Sequence, residues 1–408
     1  MMNPLINLID LDENQKRNLG IEFTPQEIFQ QVDLWNSTGE KVLSHLDELT
    51  DIFNLFLDKK NSIIYLTGAG TSEFVGYCLQ SIFRQNFHIP VQVVSNGKIV
   101  THPHDYFGDL NPLMISFARS GDSPESIGAY EIANMYSHAV RHIIITCNKN
   151  GNLAKRAQKN INSLLIGLDE KTNDQGLAMT ASFSNMVIAG QICAHVQNTS
   201  QYKNDLSQMI DAGKNILTIA PSIAKKVAET DFQRAVFLGS GSNFGTAIES
   251  HLKLQELTDG QIICGYNTYL DLRHGPKAVI NKKTLIVAYL SSDPYVRKYE
   301  IELLNEVRQK ELGKFTVIIG ESIDGEIRTL SDEVIDISRS SHPMIPDTLT
   351  PPVYVIFGQL LGLFKSLQLG LKPDSPSLTG VIHRVVQGVR IYDPKIFELK
   401  GVFQEIKG

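Results

Sequence analysis

The apolar positions change their spacing near residue 56, and that change divides the chain. Before it they fall at helical intervals. Ile28, Val32, Leu34, Trp35, Val42, Leu43, Leu46 and Leu49 follow Thr24-Pro25-Gln26-Glu27, which reads as a capping box with proline at the first helical position. Beyond it, short apolar runs alternate with helical stretches. Ser62–Leu66 predicts a strand, Glu73–Phe83 a helix, Val91–Val94 and Leu113–Phe117 two more strands. A helix carrying Ile127, Tyr130, Ile132 and Met135 and a strand at Ile143–Thr146 come next. Strands alternating with helices imply a parallel sheet covered on both faces, an α/β architecture.

The pattern then recurs. Adding 171 to Gly68 and Gly70 gives Gly239 and Gly241, just past the apolar run Ala235–Leu238. The same shift carries Ser120 to Ser291 and Asp122 to Asp293. It also carries Ile143–Ile145 to Lys314–Thr316, where the run Phe315–Ile319 begins. One offset that aligns three element ends predicts a duplicated domain. The expected organisation is an N-terminal helical segment over 1–55, a first domain over 56–205 and a second over 206–408. The linker is expected at 198–212, where Gln, Asn, Ser, Thr and Asp accumulate.

Length and charge narrow the function. A chain of 408 residues is long enough for two cores. A net charge of −6 with no basic cluster disfavours nucleic acid or an anionic membrane as partner. An anionic small molecule would have to be held by local groups. Cys78, Cys147, Cys193 and Cys264 form no C-x-x-C pair and sit in apolar or helical runs, as buried free thiols of a reducing compartment do. Met1–Glu13 lacks a positive n-region and is interrupted by Pro4, Asp10 and Asp12, so no signal peptide is expected. No run of about 18 apolar residues is present. A cytoplasmic location follows as the expectation.

The candidate chemistry gathers at strand ends, where open parallel sheets bind ligands. Gly68-Ala69-Gly70-Thr71-Ser72 and Ser120-Gly121-Asp122-Ser123 each lead from a strand into a helix N-terminus. Free N–H groups, the helix dipole and short hydroxyls favour a phosphate there. A dinucleotide fits less well, because Gly68-x-Gly70-x-x-Glu73 lacks the third glycine and no acidic residue follows Val91–Val94. Glu256 shares a helical face with Lys253, three residues away; on spacing alone that pair reads first as a surface salt bridge. His274 sits in Arg273-His274-Gly275-Pro276-Lys277, a turn that puts the imidazole on a loop. His102 and His104 lack further ligands and read as a solvated loop rather than a metal site. No metal and no cofactor is expected.

Taken together, Gly68–Ser72, Ser120-Gly121-Asp122-Ser123-Pro124-Glu125-Ser126, Arg273–Lys277 and Arg384-Val385-Val386-Gln387-Gly388-Val389 resemble the AgaS family. Its members are described as galactosamine-6-phosphate deaminases or tagatose-6-phosphate ketose/aldose isomerases. A more distant resemblance is to the isomerase half of glucosamine-6-phosphate synthase. The resemblance implies two tandem sugar isomerase (SIS) domains, each a parallel sheet sandwiched by helices in a flavodoxin-like αβα layout. It implies an enzyme that converts galactosamine 6-phosphate to tagatose 6-phosphate and ammonia in amino-sugar catabolism. A plain ketose–aldose isomerase is one alternative. A non-catalytic sugar-phosphate sensor is another, disfavoured by an N-terminal segment in which acidic residues outnumber basic ones. By match, Gly70, Thr71, Ser72, Ser120, Gly121 and Ser123 hold the phosphate. Glu256 moves the proton with Lys253 beside it, and His274 assists ring opening from the neighbouring subunit of a homodimer. Arg119, Arg273, His383 and Arg384 are further candidates, Arg119 standing where the synthase has a neutral residue.

Overall fold

A computed structural model describes residues 3–57, 60–338, 343–386 and 388–398; Gln387 of the C-terminal motif lies outside the described residues. Ten strands form two five-stranded sheets. The first contains β1 (Ser62–Gly68), β2 (Val91–Ser95), β3 (Asn111–Ala118), β4 (Arg141–Thr146) and β5 (Ser163–Gly167), in the order β2-β1-β3-β4-β5. The second contains β6 (Arg234–Leu238), β7 (Ile263–Asn267), β8 (Thr284–Tyr289), β9 (Phe315–Gly320) and β10 (Glu333–Asp336), in the order β7-β6-β8-β9-β10. Every pairing is parallel, and both orders are the flavodoxin-like one. The central strands β3 and β8 are buried almost end to end. That explains why they read as unbroken apolar runs rather than alternating ones.

The duplication extends to backbone conformation. Gly70 has φ +57° and ψ −129°, and Gly241 has φ +55° and ψ −127°. A Cβ on Gly68 would lie 2.2 Å from the Ser72 carbonyl carbon, and one on Gly239 2.1 Å from the Asn243 oxygen. Each strand–helix turn therefore needs both of its glycines, one for close approach and one for its dihedrals.

Two sequence expectations are corrected. The stretch 198–212 is not a linker, and the expected boundary at 205/206 falls inside the 30-residue helix Thr199–Ala228. Tyr202, Leu206, Met209, Gly213, Ile216, Ala220, Ala224 and Val227 make its buried stripe. The Gln, Asn, Ser and Asp residues that suggested a linker lie between these positions, as the polar side of an amphipathic helix does. Nor does Thr24-Pro25-Gln26-Glu27 form a capping box. Thr24 is already helical, with no side-chain cap at Phe23. The Thr24 hydroxyl donates to Asp374 Oδ1 at 2.6 Å, and Glu27 accepts from Gly176 N at 3.3 Å. Both side chains serve tertiary contacts instead.

One continuous core runs from the N-terminal helices through both halves. Trp35 and Thr38 donate to Ser184 and Asn185 on the helix Ala181–Ala194. Gln31 donates to Gln359 at 2.7 Å, on the helix Pro351–Gln368 of the second half. The helices Thr71–Phe87 and Ser242–Leu257 touch backbone to backbone, since a Cβ on Gly245 would lie 2.5 Å from Cys78 N. All four cysteines are free; Cys78, Cys147 and Cys193 are buried, and Cys264 is only partly so. Among the described residues no helix is long and apolar enough to cross a membrane.

Candidate active site

β1 and β3 are neighbours in the first sheet and run in the same direction, so their carboxyl ends open on one place. The chain leaves β1 through Gly70 into the helix Thr71–Phe87. It leaves β3 through residues 119–123 into the helix Pro124–Tyr136. Two helix N-termini and their N–H groups thus converge. Ser123 is the N-cap of the second helix, its Oγ accepting from Ser126 N at 3.3 Å and lying 2.7 Å from Ser126 Oγ. Asn96 steadies Ser126 with a 2.9 Å bond. Ser120 Oγ accepts from Asp122 N at 3.2 Å, which closes the turn. Ser72, Ser120, Gly121, Ser123 and Ser126 line a hollow of about 180 Å³.

This hollow adjoins a larger one of about 420 Å³, with Gly70, Arg119, Met179, Arg384 and Val386 lining both. The far wall of the larger hollow is the helix Ser242–Leu257 from the second half, which brings Lys253 and Glu256 against Thr71 of the first. Lys253 is fully buried. Its Nζ lies 3.1 Å from Glu249 Oε1 and 3.2 Å from Thr71 Oγ1, and is ion-paired with Glu256. The pair is therefore not a solvated surface bridge. Thr71 Oγ1 donates in turn to Glu249 Oε1 at 3.3 Å.

Two carboxylates and one ammonium cannot balance in so dry a place. Burial pulls the Lys253 ammonium toward losing its proton, but Glu249 and Glu256 outweigh that and hold it above its usual range. Burial foremost, with the Glu256 charge adding to it, pushes Glu249 up to about 8 against the opposing pull of Lys253. Its second oxygen is buried without a hydrogen-bond partner, as suits a carboxyl that readily takes a proton. A charged lysine, an accessible carboxylate and a proton-holding carboxyl in one stripe can store and move a proton.

Glu249 was not among the residues singled out from the sequence. Its signal was present in the spacing Glu249-x-x-x-Lys253-x-x-Glu256, three charges on one face of a helix. Nothing in that spacing told whether the face was wet or dry.

The other candidates divide. Arg119 is buried, and burial lowers the pKa of its guanidinium, with Asp174 opposing. It donates to Leu177 O at 3.0 Å, Gly176 O at 3.4 Å and Arg384 O. Arg384 donates to Asp174 O at 2.8 Å and Asn173 Oδ1 at 2.9 Å. Both arginines border the site while much of their hydrogen bonding goes to the loop 173–177. His383 also borders the larger hollow. Arg273 and His274 do not line either hollow. Arg273 lies 4.0 Å from both Glu302 and Glu306, and His274 is exposed on the turn before Gly275–Val279. One chain therefore brings together Gly70, Thr71, Ser72, Ser120, Gly121, Ser123, Lys253 and Glu256, but not His274. His102 and His104 are exposed, and no metal-holding group of three His, Cys, Asp or Glu residues occurs among the described residues.

The SIS domain model matches residues 56–196, the half that carries the hydroxyl-lined turns. A D-galactosamine-6-phosphate deaminase AgaS of Shewanella sp. is 34% identical over 390 residues, covering 94% of this chain and 95% of its own. A crystal structure from Clostridium novyi NT superposes with a TM-score of 0.89 at 37% identity, over 93% of this chain and 96% of that one. The tagatose-6-phosphate ketose/aldose isomerase of Escherichia coli superposes at 0.81 with 31% identity, over 91% and 96%.

Proposed function

We propose a function from the premise that this chain belongs to the AgaS family of SIS-domain proteins: it is a sugar-phosphate enzyme that converts D-galactosamine 6-phosphate to D-tagatose 6-phosphate and ammonia. The observation that carries the proposal is one continuous site with a hydroxyl-lined, helix-capped end and a buried acid–base end. A hexosamine 6-phosphate has the same polarity, with its anion at C6 and its reacting carbons at C1 and C2.

In this reading the phosphate accepts from Ser72, Ser120, Ser123 and the N–H groups of the two helix starts. Glu256 takes the proton from C2 of the open-chain aldehyde and returns it at C1. The C2–H bond breaks and a C1–H bond forms. The C1 carbonyl becomes a hydroxyl while the C2 amine becomes an imine. Water adds at C2 and ammonia leaves, giving the ketose. Lys253 stabilises the developing oxyanion at C1, and Glu249 with Thr71 holds that lysine in place.

His274 acts from the partner subunit of a homodimer, protonating the ring oxygen. Its exposure and its absence from the site of its own chain support that placement. The protein works in the cytoplasm. A plain interconversion of tagatose 6-phosphate uses the same steps without the loss of ammonia, and the Escherichia coli relative's name keeps it as the second reading.

The test is ammonia release from galactosamine 6-phosphate by the purified chain, with glucosamine 6-phosphate and tagatose 6-phosphate alongside. Release from the galacto sugar supports the deaminase. Turnover of tagatose 6-phosphate alone would make the protein an isomerase.

A further inference from the structure

The second half contains the counterpart of the phosphate-side turn, and the protein itself fills it. Ser291-Ser292-Asp293 follows β8 as Ser120-Gly121-Asp122 follows β3, and it leads into the sixteen-residue helix Pro294–Gln309. The first-half turn borders an open hollow. The second-half turn is bound by Asp347. Asp347 Oδ1 accepts from Ser292 N at 2.6 Å and from Ser292 Oγ at 2.9 Å, and Oδ2 accepts from the Ser291 hydroxyl. The loop that carries Asp347 has a counterpart too. The helices that follow, Ala181–Ala194 and Pro351–Gln368, begin 170 residues apart, which pairs Asp347 with the apolar Leu177, whose carbonyl instead accepts from Arg119 at 3.0 Å.

A carboxylate taking three donors from a strand–helix turn makes the contacts a phosphate oxygen pair would make. We propose that Asp347 is a built-in anion standing in the second half where a phosphomonoester stands in the first, so that the second half is an anion site held shut and each chain carries one sugar phosphate. The surroundings suit an anion and limit it to one. Arg297 donates Nε to Ser291 O at 2.6 Å and keeps a buried Nη2 without a hydrogen-bond partner. Glu300 accepts from Ser291 N at 2.8 Å. Glu321, whose Oε2 accepts from Ile345 N at 2.6 Å, makes a third carboxylate in this region. Burial, foremost, raises Glu300 to about 7, so at pH 6 it is mostly neutral and offers little repulsion to an incoming anion.

The experiment counts anions bound per chain by calorimetric titration at pH 6, with inorganic phosphate and with galactosamine 6-phosphate. Asp347→Gly, which removes the carboxylate, should gain one site over the unaltered protein. Adding Ser291→Ala should remove the gained site. A variant with the unaltered count, or a gained site that survives Ser291→Ala, overturns the proposal. Should glycine at 347 fail to fold, Asp347→Ser vacates the carboxylate with less loss of backbone order and is read the same way. Because the quantity read is a difference of one, it does not depend on what the first hollow binds. An unaltered protein that takes up no sugar phosphate would defeat the function proposed above and leave this difference to be measured.

Discussion

The helices Thr71–Phe87 and Ser242–Leu257 occupy matching places in the two halves, yet they carry opposite chemistries at matching positions. Positions 78, 82 and 85 are Cys, Ile and Gln; 171 residues later they are Glu249, Lys253 and Glu256. At the neighbouring turns the contrast reverses. Ser120 and Ser123 face a hollow, whereas Ser291 and Ser292 face Asp347. The first half thus has an open turn and no charge at these helix positions, and the second has the reverse. The two adjoining hollows are bounded by the open turns of the first half and the charged helix of the second. Fold alone would not have revealed this, since the two sheets have the same order and the two glycine turns the same dihedrals.

The contrast can be broken most severely at the reacting end. Glu256→Gln should lower kcat by about 100- to 10,000-fold, the usual worth of a positioned base, and leave sugar-phosphate affinity within a few-fold. Gln85→Ala at the matching place should leave turnover unchanged. Assays of kcat beside binding titrations check both. Turnover retained in the Glu256 variant would remove it from the reaction. Next in size is Lys253→Met, which leaves the buried Glu249 and the partly buried Glu256 without their shared cation. A loss of about 3–5 kcal/mol is expected for breaking a buried pair, read by denaturant unfolding. Ile82→Met in the first-half helix should cost under about 1.5 kcal/mol.

The turns offer a milder comparison. Ser120→Ala should raise KM roughly 10- to 100-fold, the worth of about 1.5–3 kcal/mol for a hydrogen bond to a charged group. Ser291→Ala should leave KM unmoved and lower the melting temperature, because Asp347 loses a donor. A KM effect of equal size from both would erase the distinction between the halves.

The smallest effect is one of pH. Glu300 is raised from 4.5 to about 7, foremost by burial, while Tyr130, at the same place in the matching helix, is not a carboxyl. The folded chain holds this proton more tightly than the unfolded one. Stability from Glu300 is therefore fully present below about pH 4.5, is lost as pH rises toward 7, and changes little above. Glu300→Gln should flatten part of the fall in melting temperature between pH 5 and pH 8. An unchanged slope would clear Glu300 of that role.

Much of this was legible in the sequence, for a physical reason. Buried parallel strands must be apolar throughout, and their ends must be followed by glycine where a helix starts close by; both leave marks at fixed positions. Gly68, Gly70, Gly239 and Gly241 carried the repeat, and Ser120 and Ser123 marked the turn that borders the smaller hollow. What did not show was which side of an element meets water. The polar residues of 198–212 looked like a linker because polarity alone does not separate a wet helix face from a loop. Thr24 and Glu27 looked like a cap because their spacing is a cap's, although their partners, Asp374 and Gly176, lie far along the chain. Asp347 gave no signal, since a filled anion site and an open one have the same serines.

The contact between Gly245 and Cys78 has a consequence for symmetry. Across it the two helices meet nearly backbone to backbone, and Glu249 acts on the Cys78 thiol as a nearby charge. Were the halves identical chains related by a twofold axis, whatever stood at one of these positions would stand at both. A glutamate would then confront its own image with no water between, and the repulsion would tax every copy of the assembly. Joining the two copies into one polypeptide frees each side of the axis to be mutated alone. A thiol can then face a carboxyl group, and the pseudo-axis becomes a place where a titratable group can stand on one side alone.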